Sequence, residues 1–454
     1  MFDEPNLVSS AGLVPVLALA DRAGLRELAD ARLSVPADKG ANAGLKVASL
    51  VGGMVAGAGC IDDMALLRHG GMGRAFTGAY APSTLGSFLR AFTFGHVRRL
   101  DAVASRFLTR LAEQAPLLGT GEKEVVLVDV DDTIIEVHGY AKQGAGFGYS
   151  GVRGLNALLA TATVPGSAPV IVAQRLRKGS CGSPRGAKRL VADALTAVAE
   201  LTRATPLVRA DSAFYGRGLV GAAVRAGAEV SVTVRMDKAV KAAIAGIDEH
   251  AWTTIEYTDA VFDEATGRWI SRAEVAEVPF TAFSAQRKAD RVPGRLVVRR
   301  IPDLNTEKHR AAGQDTLFDT WRFHAFFTTT DPAVFDTVAA DKTHRGHAVI
   351  EQVHADLKAS ALAHLPSGKF TANAAWLVLA VIAFNLTRAA ATLSGAQLAR
   401  ATTGTIRRKL ITVPARIASS GRRITMHLPT AWPWQTAWTT LFDRVSDPPH
   451  LLAA

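Results

Sequence analysis

The feature that most constrains the fold is an apolar run at residues 125–130 that leads directly into acidic residues. A short apolar run bounded by polar residues is typical of a strand buried in the centre of a sheet. Asp131 follows the run, so we expect it at the carboxyl end of that strand, where open α/β sheets place their functional sites. The segment therefore predicts a central strand with Asp131 at its functional end.

Alternating strand and helix patterns follow this segment and predict an α/β sheet. Residues 206–210 form a further apolar run, and Asp211 follows it directly. A second aspartate is therefore expected at a strand end. The remaining predictions are strands at 155–164, 169–176 and 229–235, and helices at 185–201 and 219–226.

The flanking regions have different patterns, from which we divide the chain into five parts. Residues 1–118 show helical apolar spacing, and residues 240–318 are polar with short strand patterns at 253–257, 269–277 and 295–301. A strand at 323–330 and helices at 345–363 and 372–391 come next. The predicted parts are a helical N-terminal region (1–118), the first part of an α/β core (119–236), a β-rich insertion (237–318), the second part of the core (319–395) and a basic C-terminal tail (396–454).

Composition excludes several classes of protein. Cys60 and Cys181 are the only cysteines, which is too few for a disulfide framework or a four-cysteine zinc site. The opening segment MFDEPNLVSS does not have the pattern of a secretory signal. The longest apolar run, 374–384, is too short for a membrane span. We therefore expect a soluble, cytosolic, multidomain protein without a membrane partner.

The positive charge is concentrated in two intervals that contain no acidic residue. The net charge is +11, yet residues 137–192 hold eight Lys and Arg residues, residues 357–442 hold ten, and the rest of the chain has a net charge of −7. Long blocks of one sign point to a polyanionic partner, most often nucleic acid. A solvated basic surface or an anionic membrane contact are the alternatives.

Residues 344–358 supply a third acidic position. His344, His347, Glu351 and Lys358 are three, four and seven residues apart, so we expect them along one face of a helix. A carboxylate flanked by such groups suits a metal ion that binds a phosphate. Hard divalent cations need several carboxylate oxygens from different elements, and the acidic candidates are Asp131, Asp211 and Glu351.

Four stretches of the sequence resemble the DDE-type insertion-sequence transposases, and more narrowly the insertion-sequence group thirteen-eighty. They are VDVDDTIIEVHGYAKQGAGFGYSGVRGLNALLAT, RLRKGSCGSPRGAKRL, LVRADSAFYG and HRGHAVIEQVHADLK. In that family one Asp in an Asp-x-Thr context ends the first strand, a second Asp ends the fourth, and a Glu comes from a late helix. Asp131 with Thr133, Asp211 and Glu351 match these positions.

The family's helix signature, Tyr-x2-Arg-x3-Glu-x6-Lys, is matched only in part. Glu351 and Lys358 occupy the Glu and Lys positions, whereas His344 and His347 replace the Tyr and the Arg. Arg345 is a neighbouring residue that could supply the missing positive charge. The roles of the two histidines stay open.

The resemblance implies both a fold and a reaction. The fold is an RNase H-like mixed sheet with flanking helices, interrupted by the β-rich insertion and preceded by an all-helical DNA-binding domain. Asp131, Asp211 and Glu351 would hold two Mg²⁺ ions, for which Mn²⁺ could substitute, and the enzyme would cut the ends of an insertion sequence and join them to target DNA. The implied partners are the terminal inverted repeats, target DNA and a second copy of the chain, in the bacterial cytoplasm at the nucleoid.

Ten basic or imidazole side chains are predicted to contact DNA. They lie in the acid-free intervals or beside Glu351, and they are Lys358, Arg345, His347, Arg175, Arg177, Lys178, Arg185, Arg407, Arg408 and Lys409.

Two other functions are compatible with parts of the sequence. VLVDVDDT also matches the nucleophile motif of haloacid-dehalogenase-type phosphatases, with Asp129 as nucleophile and Asp131 as general acid, but the downstream acidic loop of that class is missing from the sequence. Asp129 could also replace Asp131 as a metal ligand, because alternate strand residues share a face. A DNA-binding protein without catalysis is the second alternative, although carboxylates that face DNA lower affinity unless cations neutralise them.

Overall fold

The chain folds around one large mixed sheet, against which helices from both ends of the chain pack. The structure, a computed structural model, describes residues 1–36, 40–76, 78–118, 125–139, 141–263, 268–302, 321–420 and 423–446. Within these residues the strands are β1 (Leu7–Val8), β2 (Val125–Glu136), β3 (Gly146–Phe147), β4 (Arg153–Thr163), β5 (Val170–Lys178), β6 (Thr205–Ala210), β7 (Glu229–Thr233), β8 (Thr253–Asp263), β9 (Arg268–Ala282), β10 (Val292–Pro302), β11 (Trp321–Thr328), β12 (Ala415–Ser420) and β13 (Arg423–His427).

The α-helices of the described residues are α1 (Leu13–Arg22), α2 (Leu25–Arg32), α3 (Ala43–Ala56), α4 (Met72–Ala75), α5 (Pro82–Arg90), α6 (Phe94–Gln114), α7 (Ala187–Leu201), α8 (Arg217–Arg225), α9 (Lys238–Ala245), α10 (Thr337–Arg345), α11 (Val349–Lys358), α12 (Phe370–Ser394), α13 (Ala396–Ala399), α14 (Thr403–Ile406) and α15 (Gln435–Ser446). Short 3₁₀ segments lie between several of them, and a π-helical turn follows α14 at Arg407–Ile411.

The centre of the sheet has the strand order β5-β4-β2-β6-β7. Strands β2, β4 and β5 pair antiparallel, whereas β2, β6 and β7 pair parallel. Val126, Val128 and Val130 on β2 are fully buried, as expected for a central strand covered on its faces. This is the RNase H-like mixed sheet that the sequence resemblance implies.

Strand β2 is longer than the apolar run predicts, and it does not end at Asp131. It continues to Glu136 because β4 pairs with it antiparallel from Leu127 to Glu136. Its parallel partner β6 stops at Ala210. Asp131 therefore lies where the parallel pairing ends, which leaves that side of β2 free at the edge of the site.

The β-rich region extends the central sheet and does not form a separate unit. Strand β11 pairs antiparallel with β7, and β10, β9 and β8 follow outward in antiparallel order. The predicted boundary between insertion and core, at 318/319, lies outside the described residues. Of the first predicted boundary, at 118/119, only residue 118 is described.

Helix α12 is the apolar centre of the helical part. It is 25 residues long with a mean hydropathy of 1.7 in its most apolar window, and that window is wholly buried. It packs against α3, α6, α15 and β5. The Asn385 side chain accepts a hydrogen bond from the Ile171 amide (2.9 Å) and donates one to the Ile171 carbonyl (2.8 Å). Asn385 thus replaces a neighbouring strand at the edge of β5, where the backbone groups would otherwise lack partners.

The prediction of a basic C-terminal tail at 396–454 is wrong for residues 396–420 and 423–446, which are folded against the rest of the protein. Strand β12 pairs with β1 and β13, and the Ala11 and Gly12 amides donate to the Val413 and Ile411 carbonyls at 2.8 and 3.1 Å. Leu410 and Ile411 are fully buried. The apolar side chains between the basic residues explain the difference, because they are buried against the N-terminal helices.

The predicted helix at 345–363 is broken in the structure. Helix α10 ends at Arg345, a 3₁₀ turn covers Gly346–Ala348, and α11 runs from Val349 to Lys358. Arg209 contributes to the break, since its guanidinium donates hydrogen bonds to the Thr343 carbonyl and, at 3.2 Å, to the Gly346 carbonyl. These carbonyls lie in the last turn of α10 and the turn after it, where helix carbonyls lack intrahelical partners.

Candidate active site

Three aspartates follow one another closely on β2 but have different surroundings. Asp129 and Asp131 share one face of the strand, and Asp132 points to the other. The Asp132 carboxylate is buried and accepts hydrogen bonds from Asn156 and from Arg177 at 2.8 Å. A buried charge paired in this way is part of the core.

Asp129 is enclosed by cationic and imidazole groups. Arg209 donates to both carboxylate oxygens at 2.7 Å, and His347 Nδ1 lies 3.0 Å from Oδ1. The Asp129 side chain is fully buried and that of Arg209 is 1% exposed. A nucleophile needs access to its substrate, so the burial of Asp129 argues against the phosphatase alternative. The same ion pair removes Asp129 as a substitute for Asp131.

Asp131 and Asp211 are brought together by the parallel pairing of β2 and β6. Val130 pairs with Ala210, so the next residue on each strand is an aspartate. The Asp211 carboxylate accepts a hydrogen bond from the Ala213 amide at 3.0 Å, which holds it at the start of a 3₁₀ turn. Partial removal from water raises the pKa of Asp211, and the negative charge of Asp131 raises it further. The two carboxylates are therefore close enough to repel each other.

Helix α11 and the turn before it lie along this face of β2. His347 contacts Asp129, His354 Nε2 lies 3.4 Å from Asp131 Oδ2, and the charge of Asp131 acts on Lys358. Glu351 belongs to the same stripe, four residues after His347 and three before His354, and it is exposed. Glu351 is thus an exposed residue of the helix that packs along the Asp131 face of β2.

Asp131 and Asp211 meet, but Glu351 is not joined to them in this structure. Within the ranges given above, no group of three His, Cys, Asp or Glu side chains is arranged to hold a metal ion. Two adjacent carboxylates without an arginine are a suitable oxygen donor pair for a hard divalent cation. The pair fits such a cation, and Glu351 would have to approach to complete a set of three.

His344 does not share the stripe with His347 and Glu351, because it lies on α10, before the helix break. Its ring nitrogens lie 2.8 Å from Ser231 Oγ and 2.9 Å from Thr233 Oγ1, and the ring stacks on Phe326 at 4.1 Å between centroids. Burial lowers the pKa of His344 to about 3. This neutral histidine thus holds α10 against β7 through its ring nitrogens and against β11 through ring stacking.

A cleft of about 450 Å³ lies along the C-terminal end of β2, where Thr133, Ile134, Ile135 and Glu136 line it. Thr133, His138, Tyr149 and Lys358 are among its lining residues. Partial desolvation lowers the pKa of the exposed Lys358 side chain, while the charge of Asp131 acts in the opposite direction. Tyr149 is 87% exposed, and its pKa is raised by partial desolvation and by the charges of Asp132, Asp131 and Asp211. The cleft thus carries a cation and an aromatic ring whose pKa values are both influenced by the charge of Asp131.

The comparison with protein families decides the class of this chain. A model described as transposase DDE domain, group 1, matches residues 1–449. The chain belongs to this transposase family. It is accordingly a DDE-type transposase, an enzyme of DNA transposition that acts as an endonuclease and strand transferase, and enzymes of this class use divalent metal ions. The phosphatase alternative is not favoured.

A search of solved structures finds a cryo-EM structure of a piggyBac transposase synaptic complex with hairpin DNA. The two chains are 9% identical, and the match covers 96% of this chain and 82% of the other with a TM-score of 0.42. No curated protein matches the sequence.

Two of the predicted DNA contacts of the transposase are bound by carboxylates within the protein. Arg177 is 8% exposed and is held by Asp132, Asn156 and backbone carbonyls of the loop that follows β5, including Ser183 at 2.8 Å. The His347 side chain contacts Asp129 and is 17% exposed. In both cases a buried carboxylate on β2 binds the side chain, which argues against a role in binding the DNA backbone.

Four other residues that were predicted to contact DNA interact with groups of the protein itself. Arg175 bridges Asp101 and Asp193 at 2.8 and 2.5 Å, and Arg407 donates to the Val55 carbonyl at 3.3 Å. Lys409 lies over the Trp434 ring, 5.0 Å from its centroid, and an Arg345 nitrogen lies 4.0 Å from Asp341. The exposed members of the predicted set are Lys178, Arg185, Lys358 and Arg408.

Sequence reasoning missed Arg209 and His354. Arg209 is a charged residue inside an apolar strand, PLVRA. Because a buried arginine requires a partner, this position could have indicated a buried ion pair. His354 lies seven residues after His347 and thus on the same helical stripe. Its spacing from Glu351 could have placed it in the site.

Proposed function

We propose that Asp131, Asp211 and Glu351 are the catalytic carboxylates of this transposase and that they hold two Mg²⁺ ions, with Mn²⁺ as a functional substitute. The observation that carries the proposal is the adjacent pair Asp131 and Asp211, which pairs with no arginine among the described residues. A cation between them would remove the repulsion that raises the pKa of Asp211. Metal ions bound there would activate water and stabilise the oxygens of a phosphodiester during cleavage and joining.

The remaining residues of the site have roles that follow from their positions. Glu351 would turn toward Asp131 when cation and DNA are present. Lys358 would bind a DNA phosphate, since it is an exposed cation that lines the cleft at the end of β2 and lies close enough to Asp131 for the two charges to interact. The ion pair of Arg209 with Asp129 would keep β2, β6 and the turn before α11 in fixed register.

The substrate we propose is the pair of terminal inverted repeats of a mobile element together with target DNA. The exposed residues Lys178, Arg185, Lys358 and Arg408 would contribute to binding the DNA backbone. Because two ends have to be cut and joined, we propose a homodimeric complex on DNA, in the bacterial cytoplasm at the nucleoid. Elution of the protein with paired end DNA as a two-to-two complex would support this state.

The proposal is tested by nicking of a supercoiled plasmid that carries both element ends. We expect cleavage with Mg²⁺ or Mn²⁺ and none with EDTA. Asp211→Asn and Glu351→Gln should lose cleavage but still bind end DNA. Glu113→Gln, which changes an exposed glutamate on α6, is the matched control and should cut like the native protein.

Two results would contradict the proposal. Cleavage in EDTA would remove the metal requirement, and full cleavage by Asp211→Asn or Glu351→Gln would remove that residue from the catalytic set.

A further inference from the structure

His354 is a buried imidazole whose polar atoms lack hydrogen-bond partners. The residue is 6% exposed, and neither Nδ1 nor Nε2 has a hydrogen-bond partner among the residues that the structure describes. An unsatisfied polar group in the interior is costly. Such a group in a native fold calls for an explanation, and one explanation is a functional contact that tightens when a ligand binds.

One nitrogen of the ring lies near one oxygen of the candidate active site. Its Nε2 lies 3.4 Å from Asp131 Oδ2, slightly longer than a hydrogen bond. The Asp131 side chain is 24% exposed, and among the described residues no arginine pairs with it. His354 is therefore placed to fix the orientation of this carboxylate.

The two histidines of this stripe form a repeated arrangement. His347 and His354 are seven residues apart, and each lies beside one of two aspartates that are two residues apart on the same face of β2. Glu351 lies between them on the stripe. A contact from His354 to Asp131 thus also sets the distance between the helix that carries Glu351 and the strand that carries Asp131.

We infer that His354 is a positioning residue that donates its Nε2–H to Asp131 Oδ2 and leaves the second oxygen of that carboxylate to face Asp211 and the cation. The inference rests on the proposed function of Asp131. Carboxylates that bind metal ions are usually held by such hydrogen bonds, and their loss typically weakens metal affinity by about 10- to 100-fold. His354 does not bind the cation itself in this account.

The inference is tested by Mn²⁺ titration of the full-length protein without DNA, followed by the electron paramagnetic resonance signal of free Mn²⁺. His354→Leu should weaken Mn²⁺ binding by about 10- to 100-fold. His354→Gln should retain most of the affinity, since its amide N–H can replace the imidazole donor. His364→Leu, at an exposed histidine after α11, is the matched control and should bind Mn²⁺ like the native protein.

Two further readouts separate positioning from a structural role. In EDTA, His354→Leu should unfold at the native temperature or higher, because the imidazole it removes makes no hydrogen bond. In the plasmid assay, raised Mn²⁺ should restore cleavage by His354→Leu but not by Asp131→Asn. A lower unfolding temperature with unchanged Mn²⁺ affinity would overturn the inference in favour of a structural role.

Other outcomes are equally decisive. Pulsed resonance that detects a ¹⁴N coupling in the native protein, absent in His354→Gln, would make His354 a metal ligand and overturn the positioning role. If Mn²⁺ affinity depends on Asp131 but not on His354, only this inference fails. If Asp131→Asn leaves Mn²⁺ affinity unchanged, the proposed function fails and this inference fails with it.

Discussion

Asp129 and Asp131 are two residues apart on the same face of one strand, yet their environments are opposite. Asp129 is fully buried, bound at both oxygens by Arg209 and contacted by His347. Asp131 is partly exposed and lies beside Asp211, with one imidazole at 3.4 Å. The strand thus carries one carboxylate whose charge is neutralised by the protein and one whose charge is left for a ligand.

The difference shows how a fold assigns two roles to one residue type. A carboxylate paired with arginine in the core holds elements in place, and its removal leaves an uncompensated charge. Adjacent carboxylates without a cationic partner repel each other, and a bound metal ion would relieve that repulsion. Arg209 is what separates the two cases, since it comes from the strand position that pairs with Asp129.

The largest expected effect is on cleavage. Asp131→Asn should reduce plasmid cleavage by about 10³-fold, equivalent to about 4 kcal/mol of transition-state stabilisation, because a metal-binding oxygen is lost. Asp129→Asn, assayed at a temperature where it stays folded, should keep far more activity. Equal activity of Asp131→Asn and the native protein would reverse the assignment of the two aspartates.

The free energy of unfolding should depend on the two aspartates in the opposite order, with the larger loss at Asp129. Asp129→Asn leaves the Arg209 charge buried without its partner, which should cost about 3–5 kcal/mol of unfolding free energy. Chemical denaturation in EDTA measures this loss of unfolding free energy. Asp131→Asn, at the partly exposed aspartate on the same face of β2, is the comparison. A native-like midpoint for Asp129→Asn would mean that the ion pair does not hold the fold.

His344 should make the protein sensitive to acid. Its pKa in the folded state is about 3, below the ordinary value, so the unfolded chain takes up a proton first as pH falls from about 6.5. Stability should decline over this range by up to about 1.4 kcal/mol per pH unit from this group alone. His344→Gln should flatten the dependence between pH 6 and pH 4, and an unchanged slope would argue that His344 is protonated in the native state.

Asp211→Asn should stabilise the metal-free protein at neutral pH. The pKa of Asp211 is raised in the folded state, so the native protein loses stability as pH rises from the ordinary aspartate pKa through the raised value. The substitution removes that loss and the repulsion with Asp131. Thermal unfolding in EDTA at pH 7 should show a higher Tm, whereas a lower Tm would indicate that Asp211 is neutralised within the protein.

The smallest effect concerns the basic surface. Because Arg407 and Lys409 are engaged by Val55 and Trp434, the expected change in salt dependence comes mainly from Arg408. Arg408→Ala should flatten the slope of log affinity for end DNA against log salt by at most about 0.9. Arg177→Ala should instead destabilise the fold, and an equal change in slope for both variants would contradict the separation of structural and exposed arginines.

The sequence alone predicts the central strands well but not their surroundings. The run at 206–210 and the helix at 185–201 are observed at Thr205–Ala210 and Ala187–Leu201, because apolar periodicity is local. Asp131 and Asp211 could be placed together for the same reason. The break at Gly346–Ala348 could not, since it depends on Arg209 from a distant strand.

Among the sequence patterns, the distribution of charge is the poorest guide to the folded structure. The acid-free intervals lack acids in sequence but not in space, because Asp132, Asp193 and Asp356 reach Arg177, Arg175 and Arg388 from outside them. A one-sign block therefore overstates the charge available to DNA. Ion pairs of this kind join residues far apart in the chain, and periodicity carries no information about them.

Iron-mediated cleavage of the polypeptide tests the central claim most directly. Fe²⁺ replaces Mg²⁺, and ascorbate with peroxide generates radicals that cut the backbone next to the bound metal. We expect fragments from cuts near residues 131 and 211 that excess Mg²⁺ suppresses, that Asp131→Asn abolishes and that folded Asp129→Asn retains. Cuts elsewhere, or cuts that require Asp129 and not Asp131, would contradict the account.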